Sequence, residues 1–185
     1  MTSATPLLGF CAWGSGVGKT TLLTRVIPLL VARGIKVSVI KHAHHTFDID
    51  HPGKDSYRLR ESGAVQMLLG SNKRWALMTE LSRIGPEHLE QSLDELLPHV
   101  DGSLVDLILV EGFRNAKISK IEVFRPSLGH PLLAEKDNQV IAIATDEPFK
   151  TRLPLLDLND PVSVTDFIVS WLKQKPLSGS TDAQG

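Results

Sequence analysis

The stretch AWGSGVGKTT (12–21) constrains what this chain can become more than any other part of it. An apolar run, LLGFCAW (7–13), leads straight into it. A helical pattern follows from Lys19 to Arg33, with Leu22, Leu23, Val26, Ile27, Leu30 and Val31 on one stripe. Strand, Gly-rich turn and helix in that order make a cradle for phosphate. Gly16 and Gly18 let the backbone turn so that successive N–H groups converge on an anion. Lys19 sets a charge on the β- and γ-phosphates, Thr20 offers a hydroxyl to Mg²⁺, and Thr21 reaches the α-phosphate in front of the helix's positive end. The strict pattern G-x-x-x-x-G-K-[ST] asks for glycine where Trp13 stands. Gly14, one position later, takes over the tight turn. The nucleotide-binding candidates are therefore Gly14, Ser15, Gly16, Val17, Gly18, Lys19, Thr20 and Thr21.

The surrounding pattern supports a parallel sheet. Gly34 closes the first helix, which Pro28 should bend by freeing the Thr24 carbonyl, and KVSVIK (36–41) is a second strand. LVDLILVEGF (104–113) is apolar enough to be covered on both faces. Its Glu111 falls at the strand tip, where a P-loop protein needs a carboxylate for Mg²⁺; Asp106 at the other end lies roughly 15 Å too far away. Further strands are expected in VQMLLG (65–70), RWALMTEL (74–81), SKIEVFR (119–125) and QVIAIAT (139–145). Helices are expected over 55–62, closed by Gly63, and from Gly85-Pro86 with Leu89, Leu93, Leu96 and Leu97 on one face. A last helix is capped by Asp160-Pro161, with Val164, Phe167, Ile168, Trp171 and Leu172 inward. The fold class is α/β, a P-loop NTPase-like three-layer sandwich with a mainly parallel central sheet. Trp75, Trp171 and the thiol of Cys11 are assigned to the core.

Composition narrows the partners. A net charge of −1 gives no bulk attraction to nucleic acid or anionic membrane, and no apolar run approaches the roughly 20 residues of a membrane span. One unpaired cysteine and an N-terminus without a basic signal segment suit a cytoplasmic protein. The expectation is one domain over 1–174 and a disordered tail over 175–185.

The polar loop HAHHTFDIDHPGKD (42–55) is the second unusual block. His42, His44, His45 and His51 with Asp48 and Asp50 could ligate Zn²⁺ or Ni²⁺, although their spacing matches no closed site. The loop leaves the carboxyl end of the second strand, where α/β sheets collect ligands. It is therefore a candidate substrate or switch loop, with Lys41, His42, His44, His45, Asp50, Lys54 and Asp55 as its members and Asp48 as a further Mg²⁺ candidate. Asp55 has a competing role as helix N-cap. ATDEP (144–148) follows a strand where guanine-reading loops carry an aspartate, which makes Asp146 a candidate for base reading.

AWGSGVGKTTLL, LLVARGIKVSVIKHAHHTFDIDHPGKDSYRLRESGA (29–64), RWALMTE and DLILVEGF together resemble the MobB family, over about residues 7–173. The resemblance implies a P-loop fold of the kind shared with dethiobiotin synthetase and nickel-insertion GTPases. It implies a homodimer that binds GTP and Mg²⁺, has weak GTPase activity, and acts as an adaptor in molybdenum cofactor biosynthesis. Its partner would be a guanylyltransferase that joins GMP to molybdopterin, with molybdopterin itself a candidate ligand. Gly16, Gly18, Lys19, Thr20 and Thr21 match the phosphate-binding positions and Glu111 the magnesium-side acid. RWALMTEL and SKIEVFR are candidates for the dimer surface. Two other functions fit the residues: a small-molecule kinase or ATP-dependent ligase gripping substrate with loop 42–55, and a metal chaperone using His42, His44 and His45.

Overall fold

The computed structural model describes residues 5–43, 47–85 and 91–175. Packing divides the chain into two compact units, a division the sequence reading did not anticipate: residues 1–42 with 96–185, and residues 43–95.

The first unit is built on a six-stranded, all-parallel sheet in the order β2-β5-β1-β6-β7-β8. Its strands are β1 (Leu7–Cys11), β2 (Val37–Lys41), β5 (Leu107–Glu111), β6 (Lys120–Phe124), β7 (Val140–Thr145) and β8 (Leu155–Asp157). Helix α1 (Lys19–Ala32) lays Leu22, Leu23, Val26 and Leu30 on the sheet, and α4 (Pro161–Lys173) adds Val164, Ile168 and Trp171 to the same core. These meet Leu8, Phe10, Leu107, Leu109, Ile121, Val123, Ala142 and Ala144. The opposite face of the sheet is covered separately: Cys11, Val140 and Ile143 pack with Leu132, Leu133, Phe149 and Leu153. Every residue of β5 is buried, as its unbroken apolar run requires. Asp160 caps α4 by accepting from the Val162 amide at 3.0 Å, with Pro161 in the first turn. Asp106 anchors the foot of β5 by accepting from the Lys36 amide at 2.7 Å. No described helix is long and apolar enough to cross a membrane.

Two charged side chains lie inside this unit. Lys120 and Glu122 alternate with Ile121 and Val123, so the pleat turns both charges to the face opposite α1. Lys120 Nζ donates to the Arg114 and Ala116 carbonyls at 2.7 and 2.8 Å and pairs with Asp137 at 2.5 Å. Glu122 accepts from the Leu133 and Ala134 amides at 2.8 and 2.9 Å. The Lys120 stem crosses β1 at Gly9, where a Cβ would lie 2.7 Å from Lys120 Cγ.

Burial raises the Glu122 carboxyl above its ordinary value, against the pull of the two amides. A carboxyl raised on folding binds more protons in the native than in the unfolded state. Its ionisation therefore lowers stability as pH climbs from its ordinary value toward the raised one. Urea unfolding across acidic pH should show this part of the slope in the parent and not in Glu122→Gln.

Cys11 is 1% exposed, and burial followed by the charge of Glu122 pushes its thiol up to about 12. Iodoacetamide at pH 8 should leave the folded chain unmodified and alkylate one thiol per chain after denaturation.

The second unit holds α2 (Asp55–Glu61) and an antiparallel pair, β3 (Gln66–Gly70) and β4 (Trp75–Thr79). Arg60 is its centre. This buried guanidinium binds Glu80 at 2.6 Å and Asp48 at 2.5 Å and approaches Glu61 at 3.4 Å. Arg83 ties the same region by donating to the carbonyls of Arg60 and Ala64 at 2.6 and 2.7 Å.

Several expectations are corrected. Trp75 is not core but 68% exposed, because β3 and β4 form a sheet of two strands and one face carries no covering layer. SKIEVFR cannot be a dimer surface: β6 pairs with β1 on one side and β7 on the other, and its polar residues are spent internally. Asp55 does not cap α2, since Lys54 occupies the N-cap and Asp55 is the first helical residue, facing Arg58 at 3.9 Å. The helix expected from Gly85-Pro86 falls partly on residues 86–90, outside those described; its far end is the single turn α3 (Leu93–Leu96) and a 3₁₀ turn at Leu97–His99. β8 was not expected at all.

Candidate functional site

The first unit gathers its polar residues where β1 ends. In the strand order, β1 has β5 on one side and β2 one place beyond, all parallel, so their carboxyl ends come out together. The register pairs Phe10 with Glu111 and Glu111 with Lys41. The tips of β5 and β2 are thereby set beside the loop that leaves β1.

That loop takes the conformation its glycines permit. Gly16 has φ 75° and Gly18 φ 117°, both in the left-handed region, and Gly18 is the N-cap of α1. The first N–H groups of α1 have no acceptor within the helix, and its first turn holds no acidic residue to neutralise them. Gly14 has open space where a Cβ would stand. The close packing of the loop is at Val17, whose side chain is 3% exposed and lies in the core.

Four side chains converge at the mouth. Lys19 Nζ donates to the Gly14 carbonyl at 2.7 Å, folding the lysine over its own loop. Its ammonium is held below the usual lysine range by burial, with Glu111 opposing the shift. Thr20 Oγ1 donates to Glu111 Oε1 at 2.6 Å. Lys41 Nζ reaches Thr20 Oγ1 at 3.2 Å and Glu111 Oε2 at 3.3 Å. Glu111 is buried, and the chain after it is bent hard: Gly112 has φ 94° and Phe113 φ 48°, a left-handed conformation that costs a bulky residue energy. His42 fills the space above Gly112, where a Cβ would meet its Cβ at 2.8 Å, and its ring lies 4.8 Å from that of Phe113.

This donor set fits a magnesium–triphosphate. A hydroxyl and a carboxylate in contact are two hard oxygens of the kind Mg²⁺ takes, and two lysines supply charge for phosphate. Helix N-terminus, positive-φ glycines and lysine together are the architecture of an anion cradle.

The other candidates have partners of their own. In the second unit, Asp48 accepts from the Asp50 amide at 3.0 Å and binds Arg60, and these contacts, the amide first, hold its carboxyl below the ordinary range. Asp50 Oδ1 accepts from the His51 amide at 2.9 Å and from Ser56 Oγ at 3.0 Å, while its Oδ2 is buried with no partner. These aspartates shape the loop of their own unit. His44 and His45 lie outside the described residues, and among the described residues no group of three His, Cys, Asp or Glu could hold a metal. Asp146, just beyond β7, is paired with Arg125 Nη1. Sequence reasoning missed Arg125, which follows β6 and donates from Nε to the Val17 carbonyl at 3.0 Å. Its only signal was its place at the carboxyl end of a strand. Arg114 lies over Trp13, its guanidinium carbon 5.6 Å from the ring centroid.

A parallel sheet whose inner strand passes through such a glycine loop into a helix beginning Lys-Thr-Thr defines a P-loop NTPase-like protein. Within that class, the chain belongs to the MobB family: residues 7–146 match the family model described as molybdopterin guanine dinucleotide synthesis protein B. It is 50% identical to a molybdopterin-guanine dinucleotide biosynthesis adapter protein of Escherichia coli (strain K12), over 92% of this chain and 95% of that one. A protein of the same name from Haemophilus influenzae is 45% identical over 93% of this chain and 92% of its own. A crystal structure of molybdopterin-guanine biosynthesis protein B superposes with a TM-score of 0.69 at 28% identity, covering 91% of this chain and 99% of that one.

Proposed function

We propose that this chain is an adapter in molybdopterin-guanine dinucleotide biosynthesis that binds GTP with Mg²⁺ between Gly14 and Thr21. The observation that carries the reading is the contact of Thr20 with Glu111 beside Lys41, at the mouth of the loop that Lys19 closes. Thr20 and Glu111 would hold Mg²⁺, Lys19 and the amides of Gly16 to Thr21 would hold the phosphates, and the metal would neutralise charge on the β- and γ-oxygens. The occupied form would serve a guanylyltransferase that attaches GMP to molybdopterin. Turnover by the chain alone is slow, since a supplied arginine is worth about 10³–10⁵ in the rate of such hydrolysis. Titration calorimetry with GTP and ATP, each with and without Mg²⁺, tests the reading. One GTP per chain, bound more weakly without Mg²⁺, is expected; no heat from either nucleotide rejects the site.

The family relationship and one surface favour a homodimer. Leu68, Leu77 and Trp75 share one face of the β3–β4 pair by register and are 64%, 43% and 68% exposed. A second copy covering this stripe would remove apolar area that a monomer leaves in water. Light scattering should give twice the chain mass for the parent and a shift toward the monomer for Trp75→Lys.

A further inference from the structure

Arg125 has no part in the nucleotide contacts above, yet among the described residues it is the one side chain from outside the loop that hydrogen-bonds to the carbonyl of Val17. We infer that Arg125, anchored by Asp146, is the positioning residue that aims the Gly18 amide into the phosphate cradle. The inference rests on the nucleotide reading of this loop.

The geometry follows from the planarity of the peptide bond. In a trans peptide the N–H of one residue points opposite to the C=O of the residue before it. Arg125 Nε holds the Val17 carbonyl at 3.0 Å, so the Gly18 N–H is directed away from the arginine. The positive φ of Gly18 makes that orientation accessible, and the guanidinium lies beside it: a Cβ there would be in ordinary contact with Nη2, at 3.7 Å. Without the arginine, this glycine-flanked peptide is free to rotate and a phosphate must order it on binding.

The arginine is itself held. Nη1 pairs with Asp146 Oδ2, and the second oxygen, Oδ1, is buried with no partner. Arg125 follows β6 and Asp146 follows β7, and these strands are neighbours, so two consecutive strand tips brace the loop. The tips of β5 and β2 meet Thr20 at the start of α1. The loop is thus gripped by strand tips from both sides of β1. The pairing also gives Asp146 a role that does not involve the base. Lysine in place of Arg125 keeps the charge, but it cannot reach the carbonyl and the carboxylate through separate nitrogens of one rigid plane.

The test compares the parent, Arg125→Lys, Asp146→Asn and the double variant by calorimetry with GTP, ATP and XTP in the presence of Mg²⁺, alongside the unfolding midpoint of each free chain. Each single variant should bind GTP and ATP about tenfold more weakly by the same factor, as expected for one lost charge-assisted contact. The double variant should be no worse than either single one, because both break the same brace. Should Arg125→Lys fail to fold, Asp146→Asn carries the same readouts. Parent-like affinity in a folded Arg125→Lys overturns the inference. A loss confined to GTP with a gain for XTP in Asp146→Asn also overturns it, since that is the signature of a carboxylate reading the guanine edge. If the parent binds neither GTP nor ATP, the nucleotide reading has failed, and this is seen before any variant is compared.

Discussion

Lys19→Ala is expected to fold normally and to lose GTP binding. In the free chain the ammonium makes one hydrogen bond to the Gly14 carbonyl from a half-buried position, where burial already disfavours its charge. Removing it should change stability by less than about 1 kcal/mol. With a triphosphate present, the same ammonium bridges oxygens carrying most of the ligand's charge. Charge-assisted contacts are worth about 1.5–3 kcal/mol each. Two of them correspond to a loss of affinity of about 100-fold or more. Calorimetry and a thermal scan together separate the outcomes: an unchanged midpoint with no GTP-dependent shift is expected. A variant that binds GTP as the parent does would show that the phosphates do not sit on this loop.

Lys120→Ala is expected to do the reverse, damaging the fold without touching a ligand. Its Nζ holds Asp137 and two carbonyls, and the residue is 1% exposed. Truncation strands a carboxylate and two carbonyls beside Glu122, and opens a void against Gly9. Breaking a buried pair by removing one partner costs about 3–5 kcal/mol. For a domain of this size that is a fall of roughly 6–20 °C in melting temperature. Lys120→Met restores the volume of the stem but none of the hydrogen bonds, so it should recover only part of the loss. A midpoint within about 2 °C of the parent for Lys120→Ala would mean that Asp137 and the two carbonyls find water instead.

The parts of this molecule that were legible in the sequence are those set by local rules. Apolar runs at LLGFC and LILVE had to become covered strands, and the stripe Leu22, Leu23, Val26 and Leu30 had to become a helix resting on them. Asp160-Pro161 capped a helix because both act within one turn. Gly16 and Gly18 announced positive φ, and Glu111 announced a carboxylate at a strand tip, since four residues of β5 fix which end it occupies. The local pattern misled where a covering layer was assumed. Trp75 alternates like a core residue, yet a two-stranded sheet has no second layer to bury it.

The aspartates of loop 42–55 show a different limit. Asp48 and Asp50 had the composition of ligands, and the partners the structure gives them are Arg60, Ser56 and backbone amides of the same unit. Sequence lists donors and acceptors, but a charge is satisfied by whatever the fold brings to it. The same holds for Lys120 and Glu122, whose alternation with apolar neighbours reads equally well as a solvated face.

By itself, then, the order of residues determined the βα cradle, its lysine and threonine, and the acid that faces them, because each depends on dihedral preference or periodicity over a few positions. Strand order belonged to the tertiary structure alone. It placed β5 and β2 on one side of β1 and β6 and β7 on the other, and so brought Lys41 to Glu111 and Arg125 to Val17 across separations of 70 and 108 residues. Such pairings arise from burying several faces at once, and no short window of sequence contains them.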